Sequence, residues 1–242
     1  MAYTRPLVLL KSAFNNVFNQ PIILLPFATI AFLQLLVLEV LYFSVRFPLV
    51  DFFGPIIRRS GEAYLHYPFN FFLLPELFQK FQTPIYIFIS SFLTGTAVLM
   101  IADINNNKKV EWITSLKNAW PRYIHLLIAS IIAWAVYYAA YAAYEYGVVV
   151  QLGISEGRIF ANLLVGVMVT AMFAFVFPLI MIEKKKVFSA LFLNFKNFFH
   201  SGLTLFVVVL IPTLFYMPIL LLRNNVANVI DKSFPEVIFV VL

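Results

Sequence analysis

An all-α polytopic membrane helix bundle is the fold class this sequence predicts, with five complete spans, a partial sixth and three cytoplasmic interfacial amphipathic helices. Three observations carry the expectation. Of the 242 residues, 62% are hydrophobic and 12% charged, with a mean hydropathy of +0.91, whereas soluble domains are about half apolar and about a quarter charged. The apolar residues gather into five runs, each near the ~20 residues that cross ~30 Å of hydrocarbon. A short pattern rich in Lys, Asn and Phe also recurs three times, each time ahead of an odd-numbered run.

The segment Met1 to Gln20 contains Arg5 and Lys11 but no small-residue cleavage site, and the apolar run behind it is too long for a signal-peptide core. It is expected to be retained, with Leu10-Lys-Ser-Ala-Phe-Asn-Asn-Val-Phe-Asn-Gln-Pro21 as the first amphipathic helix. Span one follows, Ile22 to Val45. The long loop from Phe47 to Thr83 carries prolines that exclude a single helix, and Phe and Tyr clusters that suit the head-group belt. Short helical pieces on the outer membrane surface are expected there.

Span two is Pro84 to Asp103. The second amphipathic segment, Ile113-Thr-Ser-Leu-Lys-Asn-Ala-Trp-Pro-Arg122, precedes span three, Arg122 to Val148; span four is Ile159 to Ile182. The third segment, Phe188-Ser-Ala-Leu-Phe-Leu-Asn-Phe-Lys-Asn-Phe-Phe-His200, precedes span five, Leu203 to Leu222. In each segment bulky apolar residues fall at helical spacing with Lys and Asn opposite, as Leu191, Phe195, Phe198 and Phe199 do in the third, which is the pattern of an in-plane interfacial helix. The final apolar run, Val237 to Leu242, would rise only about 9 Å as helix and reads as the start of a sixth span. One membrane domain over residues 1–242 is therefore expected, with pseudo-repeats at about 4–103, 110–182 and 187–242.

Loop charge sets the expected orientation. With the N-terminus in the cytoplasm, the inner segments hold ten cations: Arg5, Lys11, Lys108, Lys109, Lys117, Arg122, Lys184, Lys185, Lys186 and Lys196. The outer segments hold seven. Lys184, Lys185 and Lys186, directly after span four, are the expected contacts for anionic lipid head groups. The net charge of +6 is accordingly assigned to lipid and not to nucleic acid, and membrane lipids and other membrane subunits are the expected partners.

The phrase Phe177-Pro-Leu-Ile-Met-Ile-Glu183, its basic turn, and the Phe188-Ser-Ala-Leu191 helix together resemble bacterial six-span membrane proteins related to YciC and to the membrane domain of glycerophosphodiester phosphodiesterases. The resemblance implies a bacterial inner-membrane location and a six-helix body, with no catalytic residues. Lys184 to Lys186 stand where those proteins carry a glycine.

Few residues offer chemistry. There is no cysteine, which excludes disulfides and thiolate sites, and His66, His125 and His200 are scattered, so neither metal nor cofactor is expected. No phosphate loop, nucleophile elbow or HExxH occurs. Ionisable and polar groups within spans are the default candidates: Gln34 and Glu39 in span one, and Tyr137, Tyr141 and Glu145 in span three. Small residues at every fourth position mark close-packed faces, namely Ala135, Ala139 and Ala143 in span three, and Asn162, Gly166, Thr170 and Ala174 in span four. Ser91 with Gly95 and Ser90 with Thr94 suit seams on span two, and Pro178, Pro212 and Pro218 are expected to kink their helices. These features favour a non-catalytic accessory or assembly subunit, or a membrane organiser; the alternative is a transporter or lipid-handling protein with a polar site near spans one and three.

Overall fold

The computed structural model describes residues 6–59, 61–66, 70–150 and 158–224. Among them every regular element is helical. The longer helices are α1 (Pro6–Asn19), α2 (Leu25–Tyr42), α3 (Leu49–Arg58), α4 (Asn70–Pro84), α5 (Ser91–Asn105), α6 (Trp112–Ala119), α7 (Tyr123–Tyr144), α8 (Arg158–Phe173), α9 (Val176–Met181), α10 (Val187–Phe215) and α11 (Met217–Asn224). Short 3-10 or π turns join several of them.

Five helical stretches are long and apolar enough to cross a membrane: Pro21–Val45, Phe72–Asn105, Trp112–Gly147, Phe160–Met181 and Val187–Phe215. They overlap the five expected spans, and three of them are longer than expected by nine residues or more. The chain is a multi-pass helical membrane protein. The expected sixth-span start, Val237 to Leu242, lies outside the described residues.

Prolines mark where two of the three amphipathic segments part from their spans. Gln20 precedes Pro21, a position pushed away from helical backbone, and its φ of −138° and ψ of 75° end α1 before a 3-10 turn over Pro21–Leu24. Pro121 likewise sits in the 3-10 turn Trp120–Arg122 between α6 and α7. The third segment has no such proline. It runs straight into span five as the single 29-residue α10, so the expected separate third in-plane helix is corrected to the first half of one long helix. The first loop is corrected in part as well. Its α3 and the 3-10 turn Glu62–Leu65 are the expected short pieces, but α4 continues through a π turn over Ile85–Ser90 into α5 and lengthens span two.

The chain forms two compact units, Met1–Ala28 with Ile87–Phe215, and Thr29–Tyr86 with Tyr216–Leu242. These cut the chain at places other than the pseudo-repeat boundaries. In the first unit the core gathers Ala119, Leu126, Ala129, Val176, Ile180, Met181, Val187 and Ala190, where α6, α7, α9 and α10 meet. All of it lies at the end of the bundle where spans two and four leave and spans three and five enter. In the second unit Leu38, Leu41, Ile57, Leu73, Leu74, Leu77 and Phe78 make a separate core from α2, α3 and α4.

In α6 and α10 the most buried residues of the amphipathic segments are small or polar, with parts of the bulky faces half-buried beside them. In α10 the buried residues of the first half are Val187, Ala190 and Asn194, while Phe188, Phe192 and Phe199 are exposed. In α6 Ser115 and Ala119 are buried and Ile113 is exposed; α1 exposes Leu7, Phe14 and Phe18. The expectation that Asn lies opposite the packed face is overturned at Asn194, which is 1% exposed. In an apolar solvent the large hydrocarbon side chains gain little by hiding, and the polar ones must find partners inside.

Candidate functional site

Three polar contacts in the first unit hold irregular or closely packed helices together, and they define the parts of the bundle where polar chemistry is concentrated. The first repairs span four. Pro178 has no N–H to donate to the carbonyl of Ala174 and its ring crowds that carbonyl, so the helix breaks at Ala174 and Phe175, between α8 and α9. The break leaves the Phe175 N–H and the Met172 carbonyl without their usual helical partners. Asn194 of α10 supplies both: its Oδ1 accepts from the Phe175 N–H at 3.1 Å and its Nδ2 donates to the Met172 carbonyl. A carboxamide is the one side-chain group that offers donor and acceptor side by side in this way.

The second contact repairs span two. In the π turn Ile85–Ser90 the Phe88 carbonyl accepts from the Tyr123 hydroxyl at 3.2 Å, and the Ser91 hydroxyl donates to the Ile87 carbonyl at 2.6 Å. Tyr123 is set by stacking on Trp120, at 5.7 Å and 12°, and by an edge contact with Phe92.

The third contact ties span three to span four: the Tyr137 hydroxyl donates to Asn162 Oδ1 at 2.5 Å. One turn along α8, Gly166 lies beside the same ring, where an added Cβ would make an ordinary contact with Tyr137 Cε2 at 3.8 Å. Tyr137 from the expected polar group and Asn162 and Gly166 from the expected packing face are thus brought together. Thr170 is exposed and Ala174 lies at the break, half-buried. Ala135, Ala139 and Ala143 are exposed. Tyr141 and Glu145 are half-buried further along span three, with Glu145 opening a π turn, Glu145–Val150.

On span two, Ser91 and Gly95 are buried as a seam, and Gly95 lies so close to α7 that an added Cβ would stand 2.4 Å from Leu126 Cδ1. Gln34, half-buried, and Glu39, exposed, belong to the second unit. There Arg46 lies over the rings of Tyr42 and Phe43 at 5.5 and 5.2 Å. Lys184, Lys185 and Lys186 are exposed in the turn after α9, with Lys184 in the left-handed region at φ 54°. Asn107, at φ 53°, holds the same place after α5, followed by Lys108 and Lys109. Among the described residues no group of three His, Cys, Asp or Glu side chains is arranged to hold a metal.

Sequence reasoning missed Asn194 and Tyr123. The available signal was a pairing: a proline or π turn inside one span requires a polar side chain on a neighbouring helix, and Asn194 lies four residues after Ala190 on one face.

Comparison with protein families, with curated proteins and with solved structures finds no match to this chain.

Proposed function

We propose that this protein is a non-catalytic, multi-pass membrane protein that works through its helix faces, as an accessory or assembly subunit of a larger complex or as a membrane organiser. The observation that carries the reading is the alanine face of span three. Ala135, Ala139 and Ala143 are exposed and, at 100° per residue, lie on the side of α7 away from Tyr137, whose ring is engaged by span four. In lipid a small-residue face adds nothing by being solvated, whereas a second helix can approach it closely. The direct Tyr137 to Asn162 bond occupies one of the polar side chains that a substrate cavity near span three would use, which favours contact over transport. The excess of lysine at the end shared by Asn107, Lys184 and the start of α6 supports a cytoplasmic N-terminus, and the likeness of the Phe177 to Leu191 segment to YciC-related proteins supports a bacterial inner membrane.

The test is crosslinking in native membranes followed by mild solubilisation, with wild type beside Ala139→Leu. The expected result is a discrete higher-mass species that Ala139→Leu weakens while leaving the chain folded. A lone monomer in membranes as in detergent, with no crosslinked partner, overturns the proposal.

A further inference from the structure

We infer that the cleft between the end of α1 and the turn after α5 is a binding site for one phosphate group, carried by the head group of a membrane lipid. The cleft is an open cavity of about 430 Å³ lined by Asn16, Asn19, Gln20, Ile104, Asn107, Lys108 and Lys109, within the size range of small-molecule sites, ~300–1,000 Å³. Six of the seven are amides or lysines, a wall of hydrogen-bond donors with one apolar floor residue. The donors come from segments far apart in sequence. The Pro21–Leu24 turn packs against α5 and so carries the end of α1 to the end of span two.

The local backbone fixes this arrangement. Asn107 adopts φ 53°, a left-handed conformation that Asn tolerates better than most residues. It lets the Asn107 N–H bond to the Ile104 carbonyl at 2.9 Å and the Lys108 N–H to the Asp103 carbonyl at 2.8 Å, which sets both lysines at the rim. Those bonds matter electrostatically as well. Helix C-termini present partial negative charge that repels an anion, but here the Ala102, Asp103 and Ile104 carbonyls accept from the N–H groups of Asn106, Lys108 and Asn107, and the Asn16 carbonyl accepts from Gln20. Those bonds occupy four of the terminal carbonyls, which reduces the repulsion beside the side-chain donors and lysine charge. Lys109 shares its charge with Glu111 at 3.3 Å, so Lys108 is the principal cation facing the cavity.

The depth fits a lipid. The cleft lies where span one begins and span two ends, both at one face of the membrane, and the ends of apolar spans mark the level of the phosphates. A free phosphate compound shares the same recognition chemistry, so the experiment carries an arm for each source.

The full chain is purified in detergent, stripped of lipid and titrated with phosphatidylglycerol, bound lipid being counted by native mass spectrometry. Wild type is expected to hold one lipid that Lys108→Gln and Asn16→Ala each weaken by roughly tenfold or more, the effect of losing a hydrogen bond to a charged group. Lys108→Arg, which keeps the charge, is expected to restore it. Melting curves without lipid confirm that these side-chain changes leave the fold intact. Binding of sn-glycerol 3-phosphate as tight as that of the lipid assigns the site to a free phosphate; binding only with acyl chains assigns it to lipid. Diacylglycerol binding as well as phosphatidylglycerol, or retention of the lipid within about twofold by both Lys108→Gln and Asn16→Ala, overturns the inference.

Discussion

Replacing Asn194 by leucine tests whether the break in span four is held open by Pro178 and closed by Asn194. Leucine keeps the branched outline of asparagine but is bulkier and has neither donor nor acceptor, so the Phe175 N–H and the Met172 carbonyl lose their partners where the side chain is 1% exposed and water cannot replace it, and its extra bulk adds an overpacking cost. Two hydrogen bonds at the ~0.6 kcal/mol typical between membrane helices give about 1.2 kcal/mol. Two stranded buried groups at up to ~3 kcal/mol each give about 6 kcal/mol. The site favours the middle of that interval, because the partners are backbone groups already fixed by the proline and unable to turn elsewhere. A loss of about 2–4 kcal/mol is therefore expected.

The decisive measurement is a double-mutant cycle with Pro178→Ala. An alanine at 178 restores an N–H that can bond to the Ala174 carbonyl, and a continuous helix gives the Phe175 N–H and the Met172 carbonyl partners of their own. The bulk of leucine is common to both backgrounds, so in that one Asn194→Leu is expected to cost at least about 1 kcal/mol less than in the wild type. Reversible unfolding in mixed micelles, followed by far-ultraviolet circular dichroism, reads all four corners. Equal cost in both backgrounds, or a cost under about 0.5 kcal/mol in the wild type, refutes the reasoning.

Gly95→Ala is expected to destabilise by about 1–3 kcal/mol through overpacking, because its Cβ would meet the fully buried Leu126 at 2.4 Å; in a Leu126→Ala background, itself destabilised by its cavity, the same change should cost much less in the same unfolding assay. Tyr137→Phe removes the bond to Asn162 and is expected to cost about 0.6 kcal/mol and at most about 1.7, with no effect on the crosslinked species that Ala139→Leu weakens. Tyr123→Phe leaves the Phe88 carbonyl of the π turn short of a donor and should cost about 0.5–1.5 kcal/mol, visible also as faster amide exchange in residues 88–92. Outside the spans, the Glu111 carboxyl is held below the ordinary carboxylate range, first by its hydrogen bond from Lys109 and then by that from Thr114. A lowered carboxyl contributes stability above its unfolded value and loses it as pH falls through the folded one. Carboxyl NMR titration should show the depressed value in wild type and its return toward normal in Lys109→Gln.

Lengths and charges made the spans legible without any structure. Five apolar runs of about 20 residues leave no alternative to helices in hydrocarbon, because every backbone group must be satisfied within its own segment. Of the prolines expected to kink their helices, Pro178 does follow a break in span four, whereas Pro212 lies inside the continuous α10, because a missing N–H ends a helix only where the surroundings supply other partners. Gly95 could be read as a seam residue on span two, though not that Leu126 is what fills the space opposite it.

Where the polar groups of each helix find partners was decided by tertiary structure alone. Asn194 lies one turn from Leu191 and Phe198, which are half-buried beside it, and on that inward side the carboxamide meets the groups that the broken helix leaves unpaired. The same holds for the cleft between α1 and the Asn107 turn. Asn16, Asn19 and Gln20 are ordinary polar residues near one end of the sequence, and Lys108 and Lys109 an ordinary basic turn some ninety residues later. Only the packing of Pro21–Leu24 on α5 places them around one cavity. The sequence by itself determined the five crossings seen among the described residues and marked the break at Pro178, because both depend on local chemistry; the partners that repair each break depend on which helices become neighbours, and that only the tertiary structure decided.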